Sequence, residues 1–346
     1  MKIASRHLLR LLLPAALLAY AADDTAAPAA AAVPLVSHFY YLGEDAAFAS
    51  LERNISAVQL LSPVWLHVLP DGKLRNTADD RVRDLAARSG AILHPVIVND
   101  DFRPDAARAA FSNPVLVEEL VSLAVRDNYA GLQLDFENLD AADRDPYAAF
   151  SENLSRALAA KGKTLSIAVV SPIYGTGPAT ARALAWKPTQ RSSAYDYQRL
   201  AKASTFLTLM TYDQYTSPEA PGPIAGIEWM EACLRNILDV VPAGKLMLGI
   251  PLYHRRWAGT AVTTGTWMEA QELAWKWKTG ARLDLLHQEP VIRVRDAGTA
   301  HEVWFSNADS VRRRISLARQ YGLRGFSAWR LGQEDPSIWT EALATP

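Results

Sequence analysis

The chain holds one cysteine, Cys233, among its 346 residues. A lone thiol forms no intramolecular disulfide, so a scaffold stapled by disulfides is excluded. Met230, Leu234 and Ile237 surround Cys233 at helical spacing. It therefore reads as a small buried apolar residue rather than a nucleophile. The seven histidines are scattered, without an HExxH motif or paired spacing, and no metal site is expected from them. A formal net charge of −1 offers no basic excess for nucleic acid and no polybasic patch for anionic lipid. There is no internal repeat. Beyond the N-terminus no apolar run approaches the roughly 20 residues that cross a bilayer.

The N-terminus is different. Lys2, Arg6 and Arg10 form a positive segment, Leu11 to Leu18 an apolar one, and Ala19-Tyr20-Ala21 a small-residue cleavage pattern. Together they predict a secretory signal over residues 1–21, removed on export to the periplasm or beyond. No cysteine near the cleavage point could carry a lipid. The alanine-rich stretch 22–34 reads as a linker. Residues 35–346 remain as the folded part, with no expected membrane attachment.

Eight apolar, β-rich runs recur along that part: 35–41, 57–68 (broken by Pro63), 91–98, 131–137, 164–170, 206–212, 245–253 and 325–329. Amphipathic stretches at 46–53, 78–89, 113–127, 146–160, 227–240 and 308–321 separate most of them. Strand–helix alternation predicts parallel βαβ units, and eight of them predict a (β/α)8 barrel. The competing architecture is an open doubly wound sheet, but no Gly-rich phosphate loop follows any strand. Residues 257–305 break the rhythm. A helix over 268–278 and a hairpin of 291–295 with 302–305, turning at Asp296-Ala297-Gly298, predict a small α+β insertion between the seventh strand and its helix.

The stretch Gly131-Leu132-Gln133-Leu134-Asp135-Phe136-Glu137 carries the chemistry. Leu132, Leu134 and Phe136 alternate with an amide and two carboxylates, so one strand face is apolar and the other acidic. A half-exposed strand with a polar face would give the same pattern. Inside a parallel α/β fold, however, both faces are covered. Two confined acids disfavour double ionisation, and a carboxylic acid beside a carboxylate serves glycosidic cleavage. Barrel active sites lie at strand C-terminal ends. That rule adds Ser171-Pro172, Tyr212-Asp213, Tyr253 and Trp329-Arg330, and aromatic faces among polar groups suit a sugar.

These motifs resemble glycoside hydrolase family 18, the chitinase-like family. Ala130 to Glu137 resembles its D-G-x-D-x-D-x-E signature, Met210-Thr211-Tyr212-Asp213 its strand-six motif, and Ser327-Ala328-Trp329-Arg330-Leu331-Gly332 its strand-eight motif. Ser62-Pro63-Val64-Trp65, Ala194-Tyr195-Asp196-Tyr197, Pro221-Gly222-Pro223, Leu248 to Tyr253, His301 to Phe305 and Trp329 to Pro336 extend the likeness. They point to the branch of bacterial spore-cortex and cell-wall peptidoglycan hydrolases. The resemblance implies that Glu137 is the general acid/base, Asp135 the residue that orients and charges the substrate acetamido group, and Tyr212 its hydrogen-bond partner. It implies that Met210 packs beside them, Asp213 contacts the sugar and Trp329 stacks beneath it. Gln133 and Tyr253 complete the implied substrate-binding set. The implied mechanism is retaining and substrate-assisted, with no metal and no cofactor. The implied partner is an N-acetylated glycan, peptidoglycan first and chitin or its oligosaccharides second, met by a monomer. Two positions depart from the signature: Ala130 replaces the first Asp and Gln133 the middle one. Gln133 shares no proton, so Asp135 is expected to ionise more readily. The competing function is a non-catalytic, lectin-like glycan binder; such relatives lose the acid, whereas Glu137 is present.

Overall fold

The computed structural model describes residues 34–173, 192–218 and 220–344. The expected signal and nearly all of the expected linker lie outside the described residues.

Eight parallel strands form the barrel: β1 (Val36–Tyr41), β2 (Leu60–Val68), β3 (Val96–Asn99), β4 (Gly131–Asp135), β5 (Thr164–Val170), β6 (Leu207–Met210), β7 (Leu246–Pro251) and β8 (Gly325–Trp329). The sheet closes because β1 pairs on both sides, with Phe39 opposite Leu61 of β2 and Ala328 of β8. Alternation within the strands sorts the side chains. Leu165, Ile167 and Val169 of β5 join the apolar layer under the helices, whereas Ser166 faces the interior and meets His94 at 3.1 Å. His38, Ser327 and Thr208 link β1, β8 and β6 through the middle, at 2.7 and 3.0 Å. The barrel interior is therefore polar and hydrogen-bonded below the site. At the start of β4, a Cβ on Gly131 would lie 2.3 Å from the Thr164 carbonyl oxygen and 2.7 Å from His94 Nε2. Only glycine permits that approach.

The strand ends differ from the expected ones. β4 stops at Asp135, β6 at Met210 and β7 at Pro251, so Glu137, Tyr212 and Tyr253 all stand beyond the ladder. β2 runs unbroken through Pro63. Pro63 faces Tyr41, the last partner in the pairing with β1, where a missing N–H costs the ladder little.

Five expected helices are present with small shifts: α1 (Asp45–Asn54), α2 (Asp80–Ser89), α4 (Pro114–Arg126), α5 (Arg144–Ala159) and α7 (Ile227–Leu238). The sixth, α9 (Ala308–Gln320), is closed by an Asn307–Ser310 capping box. Two were not expected, α3 (Pro104–Ser112) and α6 (Tyr197–Ala203). Asn113 explains the first: it precedes Pro114, caps α4 through Val115 N–H and stays extended. One helical tract is thereby cut in two.

The insertion lies between β7 and α9. It is a five-stranded antiparallel sheet, in the order 261–265, 254–258, 299–305, 289–296, 282–284, with α8 (Trp267–Lys276) beside it. Asp296 opposite Thr299 closes the expected hairpin. Ala270 of α8 packs on Ile292, Val303 and Phe305. Among the described residues no helix is long and apolar enough to cross a membrane.

Candidate active site

At the C-terminal ends of the strands a pocket of about 240 Å³ opens, lined by Phe102, Asp135, Glu137, Val170, Met210, Tyr212, Asp213 and Trp329. Asp135, Met210 and Trp329 are the last residues of β4, β6 and β8. Glu137 follows β4 by two residues, and Tyr212 and Asp213 follow β6. Six of the eight expected site residues therefore share one pocket. Gln133 and Tyr253 do not line it. Gln133 is fully buried one step below Asp135, because alternation points both into the barrel. Tyr253 is turned into the wall, where its hydroxyl donates to Asp213.

Asp135 is 3% exposed. Burial pushes its pKa up to about 7, because a carboxylate is poorly solvated there. Gln133 beneath it carries no charge, so the shift comes from burial. Tyrosines surround the acids. Burial first, then the charge of Asp135, raises the pKa of Tyr40. Burial, Tyr40 and then Asp135 raise that of Tyr212. Their hydroxyls are neutral at working pH, a form that can donate a hydrogen bond. The Tyr40 hydroxyl faces Thr208 and Gln133, directly below the pocket.

Asp213 adopts a left-handed backbone, φ 60°. It accepts from Tyr253 and, at 2.7 Å, from Arg255 Nη2. Arg255 Nη1 donates to the Tyr215 carbonyl at 2.9 Å. Arg255 comes from the first strand of the insertion, so the insertion orients a pocket carboxylate. Trp329 tilts over Tyr40, with ring centroids 5.2 Å apart at 56°, and its peptide bond to Arg330 is cis. Cys233 is buried, its thiol pushed up to about 12 by burial. Among the described residues no three His, Cys, Asp or Glu side chains gather as a metal site would.

Sequence reading missed Tyr40, Phe102 and Arg255. Tyr40 sits in the aromatic run Phe39-Tyr40-Tyr41, with no carboxylate in β1 to single it out. Arg255 lies in His254-Arg255-Arg256, which looks like an exposed basic run. A residue in each case acts across the barrel mouth, and no local pattern encodes that.

A barrel with a confined carboxylate pair, neutral tyrosine donors and a tryptophan at its strand ends has the arrangement of a glycan-processing site. Residues 99–334 match the profile of Glycosyl hydrolases family 18, and the chain belongs to that family. It is 27% identical over 285 residues to "Putative sporulation-specific glycosylase YdhD" of Bacillus subtilis, covering 77% of this chain and 64% of the relative. It is 28% identical over 231 residues to the "Cortical fragment-lytic enzyme" of the same organism, covering 65% of this chain and 51% of the relative. The chain thus spans about half to two thirds of the length of these two relatives. A chitinase from Chromobacterium violaceum superposes with a TM-score of 0.80 at 26% identity, over 90% of this chain and all of the other. The spore cortex-lytic enzyme SleL of Bacillus megaterium superposes at 0.76 over 88% and 73% of the two chains. At 23% identity, that likeness is one of fold.

Proposed function

We propose that this protein is an exported, retaining glycosidase that cleaves β-linked N-acetylglucosamine-containing glycan, peptidoglycan first and chitin second. The observation that carries the reading is the convergence of Asp135, Glu137, Tyr212 and Trp329 on one pocket. The likeness to a sporulation-specific glycosylase and a cortical fragment-lytic enzyme supports peptidoglycan over chitin.

In the proposed mechanism the sugar rests on Trp329, with its acetamido group between Tyr212 and Asp135. The acetamido oxygen attacks the anomeric carbon as the glycosidic C–O bond breaks. The bonding pair leaves with the departing oxygen, which takes the proton of Glu137. The resulting oxazolinium N–H is held by ionised Asp135, and the positive charge favours that ionisation. Water then attacks the anomeric carbon, gives its proton to the Glu137 carboxylate and reopens the acetamide. No pocket carboxylate is assigned as a nucleophile. This is the substrate-assisted exception to the two-carboxylate scheme. We propose further that the chain acts as a monomer after export and removal of residues 1–21.

The test is incubation of the purified protein with muropeptides and with N-acetylglucosamine oligosaccharides, products identified by mass. Fragments with a new reducing end are expected. The same substrates bearing a free amine at the cleaved sugar are expected not to react. Retention on glycan without cleavage would instead establish the lectin-like alternative. Equal cleavage of the de-acetylated sugar would rule out substrate assistance.

A further inference from the structure

The ladder between β3 and β4 ends where Val98 pairs with Asp135. Glu137 is two residues beyond, where loop backbone is ordinarily looser than strand. Its main chain is nevertheless held on both polar groups by one side chain. Glu137 N–H donates to Asn99 Oδ1 at 2.9 Å, and Asn99 Nδ2 donates to the Glu137 carbonyl at 3.0 Å. The second Nδ2 hydrogen goes to the Arg103 carbonyl at 2.9 Å. The carboxamide, fully buried, thus behaves as one more peptide unit of β3 and extends the pairing to Glu137.

The residues on either side are held as well. Tyr195 Oη donates to the Phe136 carbonyl at 2.7 Å. Asn138 has a left-handed backbone, φ 56°, and its Nδ2 donates to the Phe102 carbonyl at 3.1 Å. Three successive residues around the acid are therefore fixed from outside β4.

Only a carboxamide of this length fits. An aspartate accepts but does not donate, and would oppose lone pairs to the carbonyls of Glu137 and Arg103. It would also add a third carboxyl beside Asp135 and Glu137. A general acid works only within hydrogen-bond reach of the oxygen it protonates, and small misplacements are costly.

We propose that Asn99 is a positioning residue for the acid: its carboxamide holds the Glu137 backbone and so fixes the carboxyl against the leaving oxygen. This rests on Glu137 being the general acid, as argued above.

The test compares Asn99→Ala, Asn99→Asp and Tyr195→Phe with wild type on two substrates of one sugar. The first is an unactivated N-acetylglucosamine oligosaccharide. The second is its dinitrophenyl glycoside, whose leaving group departs with little protonation. For both Asn99 variants we expect kcat on the oligosaccharide to fall about ten- to a hundredfold, the scale that misplacement of a reacting group carries, with KM nearly unmoved. Loss on the aryl glycoside should be several times smaller. Tyr195→Phe, which removes a single bond, should show the same asymmetry more weakly. It carries the comparison if Asn99→Ala does not fold. Equal losses on both substrates would mean that Asn99 only stabilises the fold, and wild-type kcat on the oligosaccharide would mean that it does nothing for the acid; either overturns the proposal. Wild type that cleaves neither substrate overturns the hydrolase reading itself, a result separate from these two.

Discussion

The ring of Tyr212 occupies the space beside Gly249: a Cβ on Gly249 would stand 3.0 Å from Cε1 of Tyr212 and 2.5 Å from the Leu209 carbonyl oxygen. The tyrosine reaches the pocket because β7 has no side chain at that point. Gly249→Ala must push the ring or the end of β6 aside. Overpacking of this kind typically costs about 1–3 kcal/mol. A lower melting temperature and a clear drop in turnover are expected together. A variant that matches wild type in both would show that Tyr212 has room to spare.

Arg255 should matter through Asp213. Its guanidinium is nearly buried and bridges the Asp213 carboxylate and the Tyr215 carbonyl. Arg255→Lys keeps the charge but not the two-pronged geometry, so Asp213 should lose its fixed orientation. We expect turnover to fall about tenfold or more, one factor of ten corresponding to about 1.4 kcal/mol. The loss should be nearly as large in Arg255→Met. Steady-state kinetics of the two variants checks this, and full activity in Arg255→Lys would reduce the contact to a charge effect.

The barrel was legible because its strands are buried on both faces and its helices are amphipathic, so both periods stand out. What escaped reading was short or locally ambiguous. Pro104–Ser112 is a nine-residue helix hidden by the Asn113-Pro114 break. The strand Ala261–Gly265 has no buried residue, so no alternation marks it. The acidic pair and the strand-end aromatics were visible from their order along the chain. Asn99 and Arg255 were not, because each acts on a residue about 40 positions away, and nothing in the intervening sequence records that contact.

Asp135 should make the fold less stable as pH rises. Its folded pKa is raised by burial to about 7 from the ordinary value of 3.8. Between those values the folded state keeps a proton that the unfolded state has released, so stability declines with rising pH and levels off above about 7. Asp135→Asn removes that penalty. Its melting temperature should exceed that of wild type at about pH 8, with the difference shrinking towards about pH 4. Activity should be severely reduced in the same variant, because Asn carries no charge for the oxazolinium. Thermal melts across this range check the sign. A difference that grows towards acid would mean that Asp135 is stabilised as the carboxylate.

Glu137 closes the proposed proton path. It lies in the pocket with Asp135, two residues beyond the end of β4, and its backbone is pinned by Asn99 at 2.9 and 3.0 Å. Glu137→Gln preserves shape and hydrogen-bonding reach, and the pinned backbone should hold the amide where the carboxyl stood. It removes only the proton that the leaving oxygen needs. Turnover on an unactivated oligosaccharide should fall by about two to four orders of magnitude, the usual contribution of a general acid–base. Glycan affinity should persist, since Trp329, Tyr212 and Asp213 are untouched. Calorimetric titration with the oligosaccharide would read the second expectation, and product mass spectrometry the first. Loss of both binding and turnover would place Glu137 in substrate recognition. Near-native turnover on a confirmed substrate would move the catalytic centre away from β4.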